Sequence, residues 1–299
     1  MAALWLRPCG EALHGWINGV RAAITGYLVH KGNFHMGDFD GRIILVTGSA
    51  TGLGSAIAIG AAKRGAKAVL LNYSKSRQEA EATADAVRAA GAEVEIAQGD
   101  VAEDADCRQI AEVAARFGRL DALVNNAGIT KHVQNHADLD GLSKEDFLRL
   151  YAVNTVGPFQ MLRACRPLLE AAERPSVLMT SSISAVTGAG SSVAYAASKG
   201  ALNTMVLSLA RALAPKIRVN AICPGFMDTR WFSSVFGEEK AQRVRENVAK
   251  SVPLQVAAKP EDIADAALFF ISDAARHVTG EMLLIDGGAH LGFAPTRAR

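Results

Sequence analysis

Ile43-Ile44-Leu45-Val46-Thr47-Gly48-Ser49-Ala50-Thr51-Gly52-Leu53-Gly54 decides the fold. Ile43–Thr47 reads as a continuous strand of the kind covered on both faces. Residues 53–64 then read as a helix. Between them, glycines spaced Gly-x-x-x-Gly-x-Gly let the chain turn tightly and bring backbone amides close to a pyrophosphate. The amino end of the helix adds partial positive charge. Gly48, Ser49, Thr51, Gly52, Leu53 and Gly54 are therefore candidate cofactor contacts. The spacing differs from the Gly-x-Gly-x-x-Gly dinucleotide fingerprint. An ordinary strand-to-helix turn is the alternative, and the strand-then-helix context counts against it.

Outward from this turn, short β-rich runs alternate with longer helical ones. Strands are expected at Ala68–Leu71, Val94–Ala97, Ala122–Val124, Val177–Thr180, Arg218–Ile222 and Met282–Ile285. Helices are expected at Ser76–Ala90 (stopped by Gly91), about 104–117, about 144–172, Val193–Leu213 and Glu261–Ser272 (introduced by Pro260). A loop with short helices fills roughly 224–251. Repeated βα units imply an α/β fold, a doubly wound parallel sheet with helices on both faces. No linker divides residues 37–295, which read as one domain, with 296–299 a tail.

The chain has 299 residues, 49% apolar and 21% charged, the balance of a globular protein with a large core. A net charge of +2 gives no general reason to expect nucleic acid. Four scattered cysteines (Cys9, Cys107, Cys165, Cys223) suit a reducing cytoplasm rather than a disulfide framework. Residues 1–36 form an N-terminal extension, disordered or loosely helical, with Met36 a natural beginning. Leu13, Trp16, Ile17, Val20, Ile24 and Leu28 recur at helical spacing, but glycines and charges interrupt them. The run is too short to span a bilayer. His132 and His136 are four apart, as helical zinc ligands are. They lack the HExxH glutamate and sit in an expected loop, so no metal is expected.

Tyr195 is followed four residues later by Lys199, so on a helix the phenol and the ammonium share a face. A nearby cation favours the phenolate, and lowering a tyrosine pKa from about 10 toward neutrality makes a usable general acid or base. Ser182 stands thirteen residues earlier, at the end of an expected strand. Asn154 falls within an expected helix, where asparagine is a poor fit. Asn125-Asn126-Ala127-Gly128 follows the fourth strand and Pro224-Gly225-Phe226-Met227-Asp228-Thr229 the sixth.

With the glycine turn, these motifs resemble the classical short-chain dehydrogenase/reductase family over nearly all of residues 41–290, and most broadly its 3-oxoacyl-[acyl-carrier-protein] reductases. The resemblance implies a single Rossmann-type domain and hydride transfer between a nicotinamide cofactor and a ketone or secondary alcohol. Tyr195 would exchange the proton and Ser182 orient the substrate oxygen. Lys199 would bind the nicotinamide ribose and lower the Tyr195 pKa, and Asn154 would hold a water linked to Lys199. Asp100 and Val101 would meet the adenine, Asn126, Ala127 and Gly128 would line the cofactor, and Pro224, Gly225, Met227 and Thr229 would hold the carboxamide. Asn72, Tyr73, Ser74 and Lys75 end the second strand where NAD-preferring relatives carry an acid. None is present, and Lys75 with Arg77 could meet a 2′-phosphate, so NADP(H) is placed ahead of NAD(H). A helix N-cap is the alternative for Asp100. Residues 230–252 are expected to form a flexible lid, made apolar by Trp231, Phe232 and Phe236. The helix holding Leu202, Met205, Val206 and Leu209 is apolar on more than one face, so the resemblance implies a dimer or tetramer. A non-catalytic NADP(H) sensor is the rival reading.

Overall fold

The computed structural model describes residues 39–133, 135–229 and 237–292. The N-terminal extension, Trp231, Phe232, Phe236 and the tail lie outside the described residues. β1 (Ile43–Val46) shows how the sheet is built. Ile44 and Val46 point into one apolar cluster and Ile43 and Leu45 into another, so every residue of the strand is buried.

The first cluster is covered by α1 (Gly52–Lys63) and α9 (Pro260–Ile271). These two helices pack closely because Gly60 faces Leu268, whose Cδ1 would lie 2.7 Å from any added Cβ. The second cluster is covered by α3 (Asp104–Ala115), α5 (Gly157–Ala171) and α7 (Val193–Leu213). α2 (Arg77–Ala89) completes the first face through Ala84 and Val87, and the one-turn α6 (Ser184–Thr187) precedes α7. Among the described residues the strands pair in the order β3-β2-β1-β4-β5-β6-β7, all parallel. The other strands are β2 (Ala68–Tyr73), β3 (Glu93–Gln98), β4 (Ala122–Asn125), β5 (Ser176–Thr180), β6 (Arg218–Pro224) and β7 (Met282–Ile285). The winding reverses between β1 and β4, and ligands bind at the carboxyl edge beside such a reversal.

Two expectations about the helices need correction. The stretch expected as one helix over 144–172 is α4 (Lys144–Tyr151), a π turn (Ala152–Val156) and α5. A π turn carries one more residue than an α turn, which re-aims the side chains on either side. The region expected as loop with short helices contains α8 (Glu238–Ser251), fourteen residues long. Little of it is buried beyond Ala241. Val244 and Val248 are half-buried beside Ala241, and the pairs Arg243 with Glu239 and Gln242 with Glu246 join exposed turns of the helix.

Candidate active site

The loops after β1 and β4 form one cradle. Thr47 Oγ1 accepts hydrogen bonds from the amides of Asn126 and Ala127, both at 3.0 Å. Asn126 Nδ2 donates to the carbonyls of Thr47 and Gly48, each at 3.0 Å. Gly48 has φ of +59°, and a Cβ there would lie 2.8 Å from Ala127 Cα. Asn72 is buried at the end of β2 and is spent on this cradle. Its Oδ1 accepts from Gly48 N at 3.2 Å, and its Nδ2 donates to the Gly99 carbonyl at 3.1 Å. Ser49 donates from both N and Oγ to the Asn72 carbonyl. Tyr73 is buried as well, its hydroxyl on Gln98.

Two hollows flank the cradle. One of about 200 Å³ is lined by Gly48, Asn72, Ser74, Asp100, Val101 and the Asn126–Ile129 backbone, with Arg149 and Val153. Asp100 does not cap α3. One carboxylate oxygen accepts from Ala102 N at 3.0 Å, and the other takes a 2.8 Å hydrogen bond from Arg149. Burial acts to raise its pKa, but these bonds and the charges of Arg149 and Lys75 outweigh burial, so the carboxyl lies below its ordinary value. Nothing in the sequence marked Arg149; it reaches Asp100 only because the π turn and α4 bring it there.

The larger hollow, about 590 Å³, is lined by Leu53, Asn126, Gly128, Ile129, Thr130, Thr180, Ser181, Ser182, Tyr195, Lys199, Pro224, Gly225, Met227 and Thr229. Ser192 caps α7 by accepting from Tyr195 N at 3.2 Å, which fixes Tyr195 in the first turn. Lys199 follows one turn later, with Nζ 5.9 Å from the Tyr195 ring centroid. Lys199 Nζ donates to the Thr180 carbonyl at 2.7 Å. Ser182 Oγ hydrogen-bonds the Tyr195 phenol, and also donates to Ser184 Oγ and accepts from Ser184 N, each at 3.1 Å.

Asn154 lines neither hollow. It is fully buried in the π turn, where Oδ1 accepts from Ile129 N (2.9 Å) and Nδ2 donates to the Ile129 carbonyl (3.0 Å) and to Ser198 Oγ (3.1 Å). Gly128 stands between this amide and Lys199: a Cβ there would lie 3.4 Å from Asn154 Oδ1 and 3.5 Å from Lys199 Nζ. Thr51, Gly52, Gly54 and Lys75 shape or border the turn without lining either hollow.

The electrostatics correct one expectation. Burial pushes the Tyr195 phenol up rather than down, and the Ser182 hydrogen bond only partly opposes it. The same burial brings Lys199 down to about 8. Desolvation disfavours both charged forms, and the neighbouring cation does not overcome it for the phenol. His132 is exposed, and His136 Nε2 donates to the Gly190 carbonyl at 3.0 Å; no helix joins the two.

A parallel sheet with this cradle and a Ser–Tyr–Lys cluster defines a dinucleotide-dependent enzyme class, and comparison with known proteins agrees. The family model described as "Enoyl-(Acyl carrier protein) reductase" matches residues 48–290. The chain is 37% identical over 250 residues to "Granaticin polyketide synthase putative ketoacyl reductase 2" of Streptomyces violaceoruber, covering 83% of this chain and 96% of that protein. It is 35% identical over 260 residues to versicolorin reductase 1 of Aspergillus parasiticus, covering 84% and 97%. A solved structure of a Serratia marcescens short-chain dehydrogenase/reductase mutant superposes with a TM-score of 0.75 at 31% identity, covering 84% of this chain and 99% of that one. The chain belongs to the short-chain dehydrogenase/reductase family. It is an NAD(P)-dependent oxidoreductase of ketones and secondary alcohols, and the sensor reading is not favoured. No helix among the described residues is long and apolar enough to cross a membrane.

Proposed function

We propose that the protein reduces the ketone of a 3-oxoacyl thioester or a similar polyketide-like substrate with NADPH. The observation carrying this reading is that Ser182, Tyr195 and Lys199 share one wall of the 590 Å³ hollow, beside the glycine cradle. The residues present fit the dinucleotide. The absence of a Cβ at Gly48 and Gly54 lets the turn pack directly against Ala127 and Asn126 at the amino end of α1, where the helix end would favour a pyrophosphate. Asp100 and Val101 would hold the adenine. Lys199 would meet the nicotinamide ribose, and Pro224, Gly225, Met227 and Thr229 the carboxamide. When bound, the cofactor supplies the hydride.

Tyr195 gives a proton to the substrate oxygen, and Ser182 orients that oxygen by hydrogen bond. A phenol raised by burial stays protonated through neutrality, which suits reduction. Asn154 fixes the Ile129 backbone and borders the Lys199 ammonium through Gly128, where a relaying water would sit. The substrate class is supported by the named activities of the relatives. A turnover screen with NADPH and NADH across acetoacetyl thioesters, simple ketones, sugars and steroids tests it. Fastest NADPH oxidation with the thioester is expected; thioester turnover no faster than with the other carbonyls would sink that substrate.

The preference for NADP(H) is supported by the chemistry after β2. Asn72 is occupied by the turn, and Ser74, Lys75, Ser76 and Arg77 are exposed with no acid among them. Lys75 is near enough to act on the Asp100 carboxyl, whereas Arg77 lies 3.9 Å from Glu81. Joint Lys75→Ala and Arg77→Ala substitution is expected to weaken NADPH about tenfold and to leave NADH nearly unchanged, as loss of charge-assisted hydrogen bonds would. Equal loss for both cofactors, measured by titration of nicotinamide fluorescence, removes these residues from a 2′-phosphate site.

Residues 37–295 would then be one catalytic domain. Exposed Leu148, Val156, Phe159 and Leu207 on α4, the π turn, α5 and α7 support a homo-oligomer. A cytoplasmic location is supported by the free buried thiols of Cys107, Cys165 and Cys223.

A further inference from the structure

Asp228 sits between Met227 and Thr229, both of which line the larger hollow. Its amide donates to the Ala258 carbonyl at 2.8 Å, and Met227 pairs with Ala258 in a parallel bridge. Its carboxylate faces α8. Arg245 Nε lies 2.9 Å from Asp228 Oδ2, with the two side chains only 22% and 25% exposed. The other arms of the guanidinium are also held, by Glu238 Oε1 at 2.8 Å and Gln242 Oε1 at 2.7 Å. The two hydrogen bonds to Glu238 and Gln242 hold the guanidinium on the helix, and its charge is thereby kept beside the Asp228 carboxylate.

Among the described residues, Val244 and Val248 of α8 are half-buried. Ala241 is its one buried residue, and after the helix Leu254 N donates to the Gly287 carbonyl at 3.0 Å. Arg243 with Glu239, at 73% and 83% exposure, and Gln242 with Glu246 join neighbouring turns of the same helix. Arg245 instead ties the helix to a segment that lines the site.

We propose that Arg245 is a positioning residue for the nicotinamide end of the cofactor site, acting through Asp228 on the backbone of Met227–Thr229. The inference rests on the cofactor reading above. A tilt of Asp228 carries Met227 and Thr229 with it, because all three share one short segment anchored at Ala258. The adenine end is built on Asp100 and the cradle, whose hydrogen bonds among the described residues run to Ala102, Arg149, Asn72 and Asn126.

The test compares a whole cofactor with its adenine half. Dissociation constants for NADPH and for 2′,5′-ADP are measured on the full chain and on Asp228→Asn, Arg245→Gln, Arg245→Lys and Arg243→Gln. Asp228→Asn and Arg245→Gln are expected to weaken NADPH about fivefold, as loss of a partly shielded charge pair would. Affinity for 2′,5′-ADP is expected to stay at the wild-type value. Arg245→Lys recovers part of the loss, and Arg243→Gln matches wild type. A merely structural role weakens both ligands together, and that outcome overturns the proposal, as does unchanged NADPH affinity in both charge-removing variants. If Asp228→Asn does not fold, Arg245→Gln decides the matter from the outer helix. Wild-type protein that binds neither NADPH nor NADH overturns the cofactor reading itself, a result distinct from a wild type that binds and variants that do not differ.

Discussion

Tyr195→Phe leaves the protein folded and able to hold NADPH, and lowers kcat by about a thousandfold, within the range expected for loss of a general acid. The substitution removes one hydroxyl from a half-buried ring. What remains of the wall, Ser182 with its bonds to Ser184 and Lys199 with its bond to Thr180, does not depend on that hydroxyl. Binding therefore survives while the proton has no donor. Fluorescence titration of NADPH alongside single-turnover rates separates the two effects. Turnover near the wild-type rate in the variant would refute the assigned role. The pH dependence of the wild type adds a second check. With the phenol raised by burial and Lys199 near 8, both groups are protonated through neutrality. As pH passes about 8 the Lys199 cation is lost first, so the reductive rate is level at neutral pH and falls above about 8. A rate that climbs through that range would contradict the assignment of the donor.

Gly54→Ala abolishes useful cofactor binding, raising the NADPH dissociation constant by about a hundredfold or more, the scale on which misplacement of positioning groups acts. A Cβ at Gly54 would lie 2.5 Å from the Gly48 carbonyl oxygen, 2.5 Å from Asn126 Nδ2 and 2.9 Å from Ser49 Cα. Two of these atoms are backbone of the turn itself, so relief requires the turn to move. Asn126 Nδ2 would also lose its bonds to Thr47 and Gly48, opening the join between the β1 and β4 loops. The sheet is built from residues away from this point, so far-ultraviolet circular dichroism should be unchanged. Gly200→Ala is the control, since its Cβ would meet only the Ala185 carbonyl at an ordinary 3.8 Å. An affinity within a few-fold of wild type for Gly54→Ala would show that the turn does not grip the pyrophosphate as argued.

The parts of the fold readable in the sequence were those set by short-range physics. Val193–Leu213 and Met282–Ile285 occupy the expected residues, Pro260 opens α9, and Gly91 ends α2 with φ of +98°. Apolar runs, caps and breakers suffice for these. The break in the 144–172 helix was not readable, because a π turn preserves helical composition; Asn154 was the local hint, and it lies in that turn. α8 was missed because its apolar stripe is thin: Ala241, Val244 and Val248 recur at helical spacing, but charged and amide residues fill nearly all the other positions of Glu238–Ser251. At the site, the Tyr195 and Lys199 spacing was legible, but the balance of burial against charge was not. That balance depends on how strands from remote parts of the chain enclose the pair. Arg149 gave no signal for the same reason: its partner, Asp100, becomes a neighbour only through the fold.

The hydroxyl of Thr47 has a consequence for how the molecule is made. It receives the amides of two residues about eighty positions downstream. A ribosome-bound chain that has emerged only as far as β3 possesses the glycine turn but not the wall that turns it into a receptacle. A nicotinamide dinucleotide in the surrounding solution therefore adds nothing to the survival of early intermediates, since mass action rewards only species that bind. Any protective effect of the dinucleotide waits at least until β4 seats beside β1 and brings Asn126 and Ala127 to Thr47.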